Sequence, residues 1–366
     1  MVEIIKEFLL EHWQELFPFR KHPGQWRFLL IKGNLGGYGG NSTFLIFSDQ
    51  EAKPFIAVKT SRDPKYEKRL EQEYIALRYL RDNLPEDLSG HIPQAYYVGH
   101  TLCRNILIEE AVSGKSLDAI MKERALGKQR YIYSMIEMLS TWLIDLQKEI
   151  CNRGNLLFGS EHQYEDLSKQ IDSFSEGYLI SEKEESFLDY LKQGVVSLKN
   201  SKVPLPFEHR DFSPINIILA NDKFWVIDWV DFKREGLPLQ DVFYFLLWLN
   251  FSNYSSEKEF QVRLKHFFQM FFRNGKHSRI ATKIIKRYCD AFGIDLAYVK
   301  IFLALFLITR GIIEYELFLK QSERGFVYTV QPLGRGTFYK DGSLLKSGLY
   351  INLFRAFVEN NNQFIF

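Results

Sequence analysis

Cysteine is scarce in this sequence. The 366 residues contain three cysteines, Cys103, Cys151 and Cys289, which are odd in number and far apart in the chain. No CxxC pair and no Cys/His spacing typical of a zinc site accompanies them, so the pattern indicates neither a disulfide framework nor a cysteine-based metal centre. We interpret the three as buried thiols in a reducing compartment, which predicts a cytoplasmic protein.

The chain also lacks an excess of charge of either sign. Lys and Arg number 47 and Asp and Glu 45, for a formal net charge of +2, and the basic residues are interleaved with acidic ones. Proteins that bind nucleic acids usually carry a basic patch or stripe, so we expect no nucleic-acid partner. With 46% apolar and 25% charged residues, the chain can bury one large core or two lobes that share a cleft.

Long uninterrupted apolar runs are missing as well. The segment from Met1 to Phe17 carries charged residues at helix-like spacing, which predicts an amphipathic helix rather than a signal peptide. The longest apolar helix predicted, Ile301 to Ile313, contains Arg310 and is shorter than the roughly 20 residues that a bilayer requires. We therefore expect a core helix and no association with a membrane.

What the sequence does contain is a motif for phosphoryl transfer. Residues 208–216 read EHRDFSPIN, with Asn216 five residues after Asp211, and Asp228 then closes a short apolar strand. Mg²⁺ prefers hard oxygen ligands such as the amide oxygen of Asn216 and the carboxylate of Asp228. We expect Asp211 to stay off the metal and to accept, or at least orient, the proton of an attacking hydroxyl. The alternative is an ordinary turn, which Ser213-Pro214 also favours.

A glycine-rich segment lies upstream, between two apolar runs. Residues 32–42 read KGNLGGYGGNS, which predicts a hairpin whose glycines let the backbone approach a phosphate closely. Gly37, Gly39 and Ser42 approximate the kinase pattern Gly-x-Gly-x-x-Gly, with Ser42 in place of the third glycine. By itself, the segment also fits a flexible hairpin tip.

A lysine and a glutamate form a second part of the predicted nucleotide site. The strand over residues 55–59 ends in Lys59, as does the kinase strand whose lysine faces the phosphates. The helix predicted from Pro64 to Leu84 has an apolar stripe, and at 100° per residue Glu73 falls inside it. A lone buried carboxylate is costly unless it is paired. We therefore expect an ion pair between Glu73 and Lys59, with Glu67 as the alternative partner.

Together these motifs resemble the aminoglycoside phosphotransferase and choline kinase family. The resemblance implies an α+β, two-lobed protein-kinase-like fold, in which a small antiparallel-sheet N-lobe with one key helix precedes a larger, mostly helical C-lobe. We divide the chain accordingly into an N-terminal amphipathic helical extension over 1–24, a nucleotide-binding N-lobe over 25–111, and a catalytic and acceptor-binding C-lobe over 112–366.

The resemblance also implies a role for each site residue. ATP or GTP is the expected phosphoryl donor and Mg²⁺ the expected metal, and the segment from Asn105 to Val112 is similar to the strand and hinge whose backbone binds adenine. The expected nucleotide-binding residues are Gly37, Gly39, Ser42, Lys59, Glu73, Glu109 and Ala111; the catalytic residues are Asp211, His209 and Arg210; the metal ligands are Asn216 and Asp228. Asp241 resembles the family's structural aspartate, and a simple N-terminal helix charge is the alternative.

Departures from the protein-kinase pattern indicate the substrate class. Trp229 and Val230 follow Asp228 in place of Phe-Gly, no Ala-Pro-Glu appears downstream, and the interval to Asp241 is too short for a peptide-docking activation segment. We therefore predict transfer to a hydroxyl of a small molecule, such as an aminoglycoside, a sugar or a choline-like alcohol. An atypical protein kinase and a pseudokinase scaffold are the alternatives. Asp231 and Glu235 could receive a cationic acceptor or belong to a solvated loop.

Overall fold

The chain folds into two separately packed units. The computed structural model describes residues 1–31, 41–49, 51–61, 67–101, 104–123, 129–154, 157–198, 203–220, 223–249, 259–322, 339–341 and 344–366. Unit 1 consists of Met1–Ile132 and His209–Lys233, and unit 2 consists of Tyr133–Glu208 and Arg234–Phe366.

Unit 1 is built on an antiparallel sheet of five strands in the spatial order β1-β2-β3-β5-β4. The strands are β1 (Trp26–Ile31), β2 (Asn41–Ser48), β3 (Ile56–Ser61), β4 (Ala95–His100) and β5 (Asn105–Glu110). Val58 lies opposite Ile108 and Lys59 opposite Leu107 in the register of β3 and β5. Because side chains alternate along a strand, Val58 and Ile108 share one face of the sheet and Lys59 and Leu107 share the other.

The N-terminal helix α1 (Val2–Leu16) covers the face of the sheet that carries Val58. Its buried residues recur every four positions, as expected for an amphipathic helix, and they are Ile5, Leu9 and Trp13. They pack against a layer of sheet side chains that comprises Phe44, Ile46, Phe55, Ile56, Val58, Ile106 and Ile108. The amphipathic helix of the N-terminal extension over residues 1–24 is therefore part of the core of unit 1. The apolar stripe of α1 is buried against a face of the sheet, and that face forms only in the tertiary structure.

Helix α2 (Glu67–Asn83) serves the opposite face of the sheet, where Glu73 meets Lys59. Its buried positions are Leu70, Glu73, Ala76, Leu77 and Leu80. The apolar stripe predicted for this helix is confirmed, and Glu73 lies within it. The single-turn helix α3 (Glu86–Ser89) follows and leads into β4.

A smaller antiparallel sheet, in the order β6-β7-β8, completes unit 1. Its strands are β6 (Lys115–Ser116), β7 (Ile217–Ala220) and β8 (Lys223–Val226), and helix α4 (Leu117–Lys122) starts directly after β6. Gly114, just before β6, has a φ of +151°, and a Cβ at this position would lie 2.3 Å from the carbonyl oxygen of Leu219 on β7. The pairing of β6 with β7 assigns His209–Lys233 to unit 1. The division by packing therefore differs from the boundary predicted between residues 111 and 112.

Unit 2 is predominantly helical, as the fold class predicts. Helix α5 (Gln129–Gly154) leads into it, and the helices that follow are α6 (Glu161–Gly177), α7 (Glu182–Ser197), α8 (Gln240–Trp248), α9 (Glu259–Phe271), α10 (Lys276–Phe292), α11 (Val299–Ser322) and α12 (Leu349–Asn360). A two-stranded antiparallel pair, β9 (Tyr339–Asp341) and β10 (Leu344–Ser347), lies between the last two helices. The α+β architecture expected from the sequence is thus confirmed.

Helix α11 corrects one prediction about length. It has 24 residues, so the argument that its apolar segment is too short to cross a bilayer was wrong. Among the described residues, one helical stretch, Leu296–Leu319, is long and apolar enough to span a membrane, with a mean hydropathy of 2.0. However, 56% of the apolar 18-residue window within this stretch is buried inside the protein, and all residues from Ile301 to Ile308 are buried. A core helix of a globular unit has the same length and composition, because it is apolar on every side.

The packing of α1 predicts that two neighbouring leucines differ sharply in their effect on stability. Leu9 is fully buried against the sheet, whereas Leu10 is 47% exposed. We expect Leu9→Ala to lower the free energy of unfolding by about 2–5 kcal/mol, since it leaves a cavity in the core. Leu10→Ala is the matched control and should change it by less than about 1 kcal/mol. Urea unfolding followed by circular dichroism measures both, and equal effects would show that α1 does not belong to the core.

Candidate active site

A β-hairpin brings the predicted metal ligands together. Asn216 immediately precedes β7, and Asp228 follows β8 by two residues. Because β7 and β8 pair in an antiparallel register, both residues lie at the same end of the hairpin. The backbone N–H of Ile227 donates to the carbonyl oxygen of Asn216 at 3.0 Å, which continues the pairing up to this site.

Asp211 and Asn216 contact each other directly. The side-chain amide nitrogen of Asn216 donates to Oδ2 of Asp211 at 2.9 Å and to its backbone oxygen at 3.0 Å. A turn holds the two in place, since the N–H of Ser213 donates to the carbonyl of Asp211 at 2.8 Å and the N–H of Asn216 donates to that of Ser213 at 3.0 Å. As the amide group is planar and its nitrogen is used, its oxygen faces away from Asp211 and is available to a ligand.

Asp228 has an unusual backbone and a poorly compensated carboxylate. Its φ is +67°, in the left-handed region that residues with a side chain rarely adopt. Burial raises the pKa of Asp228, and the nearby positive charges of Lys59 and Arg69 offset only part of this rise. Within the described residues, its carboxylate makes no direct hydrogen bond or ion pair. A desolvated carboxylate of this kind favours a cation as its partner.

The side chains of Asn216 and Asp228 therefore fit a hard divalent cation. Both offer oxygen atoms, the donor type that Mg²⁺ prefers. The described part of the chain contains no cluster of three or more His, Cys, Asp or Glu residues that could hold a metal ion by themselves. A cation at this position would need phosphate and water oxygens to complete its coordination shell, as is usual for Mg²⁺ in nucleotide sites.

The buried side chain of His209 forms hydrogen bonds with the backbone on both sides of the site, at Asp211 and at Ile227. Its Nε2 donates to the carbonyl of Ile227 at 3.1 Å, and its Nδ1 accepts the backbone N–H of Asp211 at 3.2 Å. The ring lies 4.3 Å from that of Trp229, measured between centroids. Burial lowers the pKa of His209 to about 4, so the imidazole is neutral at pH 7. His209 thus ties the backbone of Asp211 to the end of the strand before Asp228. Arg210, which lies between His209 and Asp211 in the sequence, is half-buried and has a left-handed φ of +66°.

Lys59 lies between two carboxylates. Its Nζ is 2.7 Å from Oε1 of Glu73, so the predicted ion pair is present, and Glu67 is not the partner. The same Nζ is 2.8 Å from Oε1 of Glu109, a contact that the sequence analysis missed. Glu109 was predicted to bind a nucleotide through its backbone alone. The register of β3 and β5 is the signal that could have revealed this contact. Glu109 lies opposite Ala57, and Ala57 is two residues from Lys59, so the side chains of Glu109 and Lys59 are on the same face of the sheet.

The charges around Lys59 are unbalanced. Burial acts to lower the pKa of Lys59, but the charges of Glu109, Glu73 and Asp228 outweigh it and raise the pKa above its usual value, so the ammonium stays charged. Burial raises the pKa of Glu73 and of Glu109, and the charge of Lys59 offsets only part of this rise. The ammonium group of Lys59 thus interacts with three carboxylates, those of Glu73, Glu109 and Asp228. The site therefore favours additional positive charge, which a divalent cation would supply.

A second ion pair connects α2 to the segment after Asp228. Arg69, one helical turn before Glu73, binds Asp231 in a bidentate arrangement, with Nη1 2.9 Å from Oδ1 and Nη2 3.1 Å from Oδ2. Helix α2 is thereby fixed both to β3, through Glu73, and to the segment that follows Asp228. Asp231 is a candidate receiver for a cationic acceptor by sequence, but its carboxylate is paired with Arg69 in the structure. Helical spacing places Arg69 near the face of Glu73, but it does not reveal the partner 162 residues away.

The other predicted nucleotide-binding residues are distributed as follows. Gly37 and Gly39 lie outside the described residues. Ser42 is buried near the start of β2, opposite Thr60 of β3. Ala111 directly follows β5, and its N–H donates to the carbonyl of Phe55 at 3.4 Å. Ser42 thus lies beside the C-terminal end of β3, and Ala111 lies beside the residue that precedes its N-terminal end.

Asp241 belongs to unit 2, where it lies buried in the first turn of α8. Its Oδ2 accepts a hydrogen bond from Nε2 of Gln147 at 3.0 Å, and the same nitrogen donates to the carbonyl of Phe207 at 2.6 Å. The hydroxyl of Tyr288 donates to Oε1 of Gln147 at 2.9 Å. A carboxylate in a buried network that joins α5, α8 and α10 supports the predicted structural role better than a simple helix-end charge does.

Comparison with known proteins gives one family. The model of the family described as "Phosphotransferase enzyme family" matches residues 34–269. A search of curated proteins found no match.

Several solved structures are similar to the chain. An amicoumacin kinase in complex with AMP-PNP and Ca²⁺ has 12% sequence identity and a TM-score of 0.48, and the match covers 98% of this chain and 95% of that one. The GDP and kanamycin complex of an APH(2″) enzyme has 14% identity and a TM-score of 0.45, with 87% and 99% covered. A choline/ethanolamine kinase family protein from Mesorhizobium loti has 11% identity and a TM-score of 0.47, with 89% of each chain covered.

The pair of Arg69 and Asp231 predicts a measurable coupling. Because both side chains are partly exposed, we expect a coupling energy of about 1 kcal/mol in a double-mutant cycle of Arg69→Ala and Asp231→Ala, followed by urea unfolding. The control is the pair of Arg78 and Asp82 on the same helix, which is more exposed and has a separation of 3.8 Å. Its coupling should be about 0.3 kcal/mol. A coupling at the first pair no larger than at the second would mean that the bidentate contact does not fix α2.

The buried imidazole of His209 predicts a pH dependence of stability. Its folded pKa of about 4 lies below the usual 6.5, so its contribution to stability is complete above pH 6.5 and is lost as the pH falls towards 4. The full loss is on the order of 3 kcal/mol. Relative to wild type, the unfolding free energy of His209→Gln should therefore fall less steeply between pH 6.5 and 4 in urea titrations. His162→Gln, at an exposed position, is the control and should retain the wild-type slope. An unchanged slope for His209→Gln would refute the assignment.

Proposed function

Because the chain belongs to the phosphotransferase enzyme family, we propose that it transfers the γ-phosphoryl group of ATP or GTP to a hydroxyl of a small molecule, with Mg²⁺ as the metal. Aminoglycosides, sugars and choline-like alcohols are the acceptor classes that this proposal includes. The absence of nucleic-acid and membrane partners and the cytoplasmic location stay predictions from the sequence.

One observation carries the proposal. The side-chain amide of Asn216 donates a hydrogen bond to the carboxylate of Asp211 and leaves its oxygen available, and Asp228 lies at the same end of the hairpin. Such an arrangement separates two functions. One carboxylate is kept for the acceptor hydroxyl, and the other is kept for a cation.

The nucleotide would be held by the same unit. We assign the phosphates to Lys59, which Glu73 positions, and to the backbone of the glycine-rich segment with Gly37, Gly39 and Ser42. The base is assigned to the segment from Glu109 to Ala111. Asn216 and Asp228 would hold Mg²⁺, which supplies neutralisation of the charge on the transferred group and on the leaving oxygen.

Asp211 is assigned to the acceptor. Its carboxylate would accept the proton of the acceptor hydroxyl or orient that hydroxyl in line with the leaving group. His209, neutral and hydrogen-bonded to the N–H of Asp211, holds the backbone from which this carboxylate projects. Asn216 fixes the carboxylate itself through the 2.9 Å contact with Oδ2. Arg210 takes part through the left-handed turn that lies between these two supports.

Two substitutions should separate the two functions. We expect Asp228→Asn to abolish Mg²⁺-dependent binding of ATP and GTP, because the metal loses its charged ligand. Asp211→Asn should leave nucleotide affinity nearly intact, since the amide oxygen still accepts from Asn216, yet it should lower phosphoryl transfer by about a hundredfold or more. Calorimetry measures binding, and mass spectrometry detects the addition of one phosphate to members of a metabolite and antibiotic panel. Asp189→Asn, at an exposed position on α7, is the control for both.

Four results would contradict the proposal. Unchanged Mg²⁺-dependent binding in Asp228→Asn would remove the metal assignment, and wild-type transfer in Asp211→Asn would show that this carboxylate is only structural. Phosphate that appears on a protein and on no small alcohol or sugar would indicate an atypical protein kinase. Nucleotide binding without transfer to any acceptor or to water would indicate a pseudokinase.

A further inference from the structure

The buried carboxylate of Glu109 has one oxygen that its ion pair does not use. Oε1 is 2.8 Å from Nζ of Lys59. Oε2 is buried and has no hydrogen-bond partner among the described residues, although Glu109 as a whole is only 5% exposed. A buried carboxylate oxygen without a donor is costly and rare in folded proteins. This atom therefore points to a ligand that brings a hydrogen-bond donor.

The position of Glu109 suggests which part of a ligand it meets. Glu109 lies directly opposite Ala57 in the pairing of β3 with β5, and Lys59 is two residues further along the same strand face, about 6.6 Å away. Ala57 has the smallest side chain that an L-residue can place there, so β3 presents no bulky group beside the carboxylate. A nucleotide with its phosphates at Lys59 can therefore lie with its base beside Ala57 and Glu109.

We propose that Oε2 of Glu109 accepts a hydrogen bond from the amino group at C6 of adenine, and that the enzyme thereby selects ATP over nucleotides with a carbonyl at C6. The inference rests on the proposed function and deepens it by naming the phosphoryl donor. Glu109 is a specificity-determining residue in this assignment, in addition to its contact with Lys59.

The chemistry of the two purines supports adenine. An ionised carboxylate only accepts hydrogen bonds, and the C6 amino group of adenine donates, whereas the C6 oxygen of guanine or hypoxanthine accepts and would repel it. A carboxylate can also recognise guanine, by binding N1–H and the C2 amino group with its two oxygens. That mode requires both oxygens of Glu109, and Oε1 is already engaged by Lys59. The single remaining oxygen fits a single donor group.

The test compares the affinities of four nucleotides for the wild-type protein by calorimetry with Mg²⁺ and without an acceptor. ATP has the C6 amino group, purine riboside triphosphate has only hydrogen at C6, and ITP and GTP have a carbonyl there. We expect ATP to bind about 10- to 100-fold more tightly than purine riboside triphosphate, the range for a hydrogen bond to a charged group. ITP and GTP should bind more weakly still, because a carbonyl faces the carboxylate.

A variant tests the residue itself. The side chain of Glu109→Gln can present either its amide oxygen or its amide nitrogen, so the ratio of ATP to ITP affinity should fall to within about threefold. A ratio measured within one variant cancels any general loss of affinity that the altered contact with Lys59 causes. Glu71→Gln, at an exposed position on α2, removes the same charge and should leave the wild-type ratio unchanged.

The outcomes are distinct from those of the proposed function. Equal affinity of the wild type for ATP, purine riboside triphosphate and ITP, or a preference for GTP, would overturn the assignment of Glu109 while phosphoryl transfer still stands. A wild-type ratio in Glu109→Gln would also overturn it. If this variant fails to fold, the comparison of nucleotides in the wild type decides alone. Absence of Mg²⁺-dependent binding of all four nucleotides would contradict the proposed function and this inference with it.

Discussion

The site depends on one buried cation, Lys59, and on the carboxylates that surround it. Its Nζ contacts Glu73 at 2.7 Å and Glu109 at 2.8 Å, and the charge of Asp228 also acts on it. These residues come from β3, α2, β5 and the segment after β8, so a single ammonium group joins four separate parts of unit 1. Removing one partner of a buried ion pair is strongly destabilising. The contacts of Lys59 therefore stabilise the positions of these elements relative to one another.

The rest of unit 1 fixes the elements that carry these charges. Helix α1 covers one face of the five-stranded sheet, while α2 serves the other and is tied through Arg69 to Asp231, three residues past Asp228. His209 and the turn at Ser213 hold the loop that presents Asp211. The charges of the site are therefore unbalanced: rigid supports hold three carboxylates near one lysine, and a divalent cation would supply additional positive charge.

Much of the site was predictable because its determinants are local. Asn216 and Asp228 flank the two strands of one hairpin, and antiparallel pairing brings such positions together whatever the remaining fold. The ion pair of Lys59 with Glu73 followed from helical periodicity and from the cost of an unpaired buried charge. The helical character of unit 2 was evident from its patterns, although the length of α11 was underestimated, because a core helix extends beyond its most apolar segment.

The sequence by itself thus determined the fold class, the order of the motifs, and the pairs of residues whose proximity follows from a strand or helix repeat. The tertiary structure alone decided that α1 belongs to the core of unit 1, that Glu109 is the second partner of Lys59, and that Arg69 binds Asp231. The physical reason is the same in each case. Periodicity specifies which face a side chain occupies, but the group that meets this face comes from a distant segment, whose register and approach are set by the packing of the whole unit.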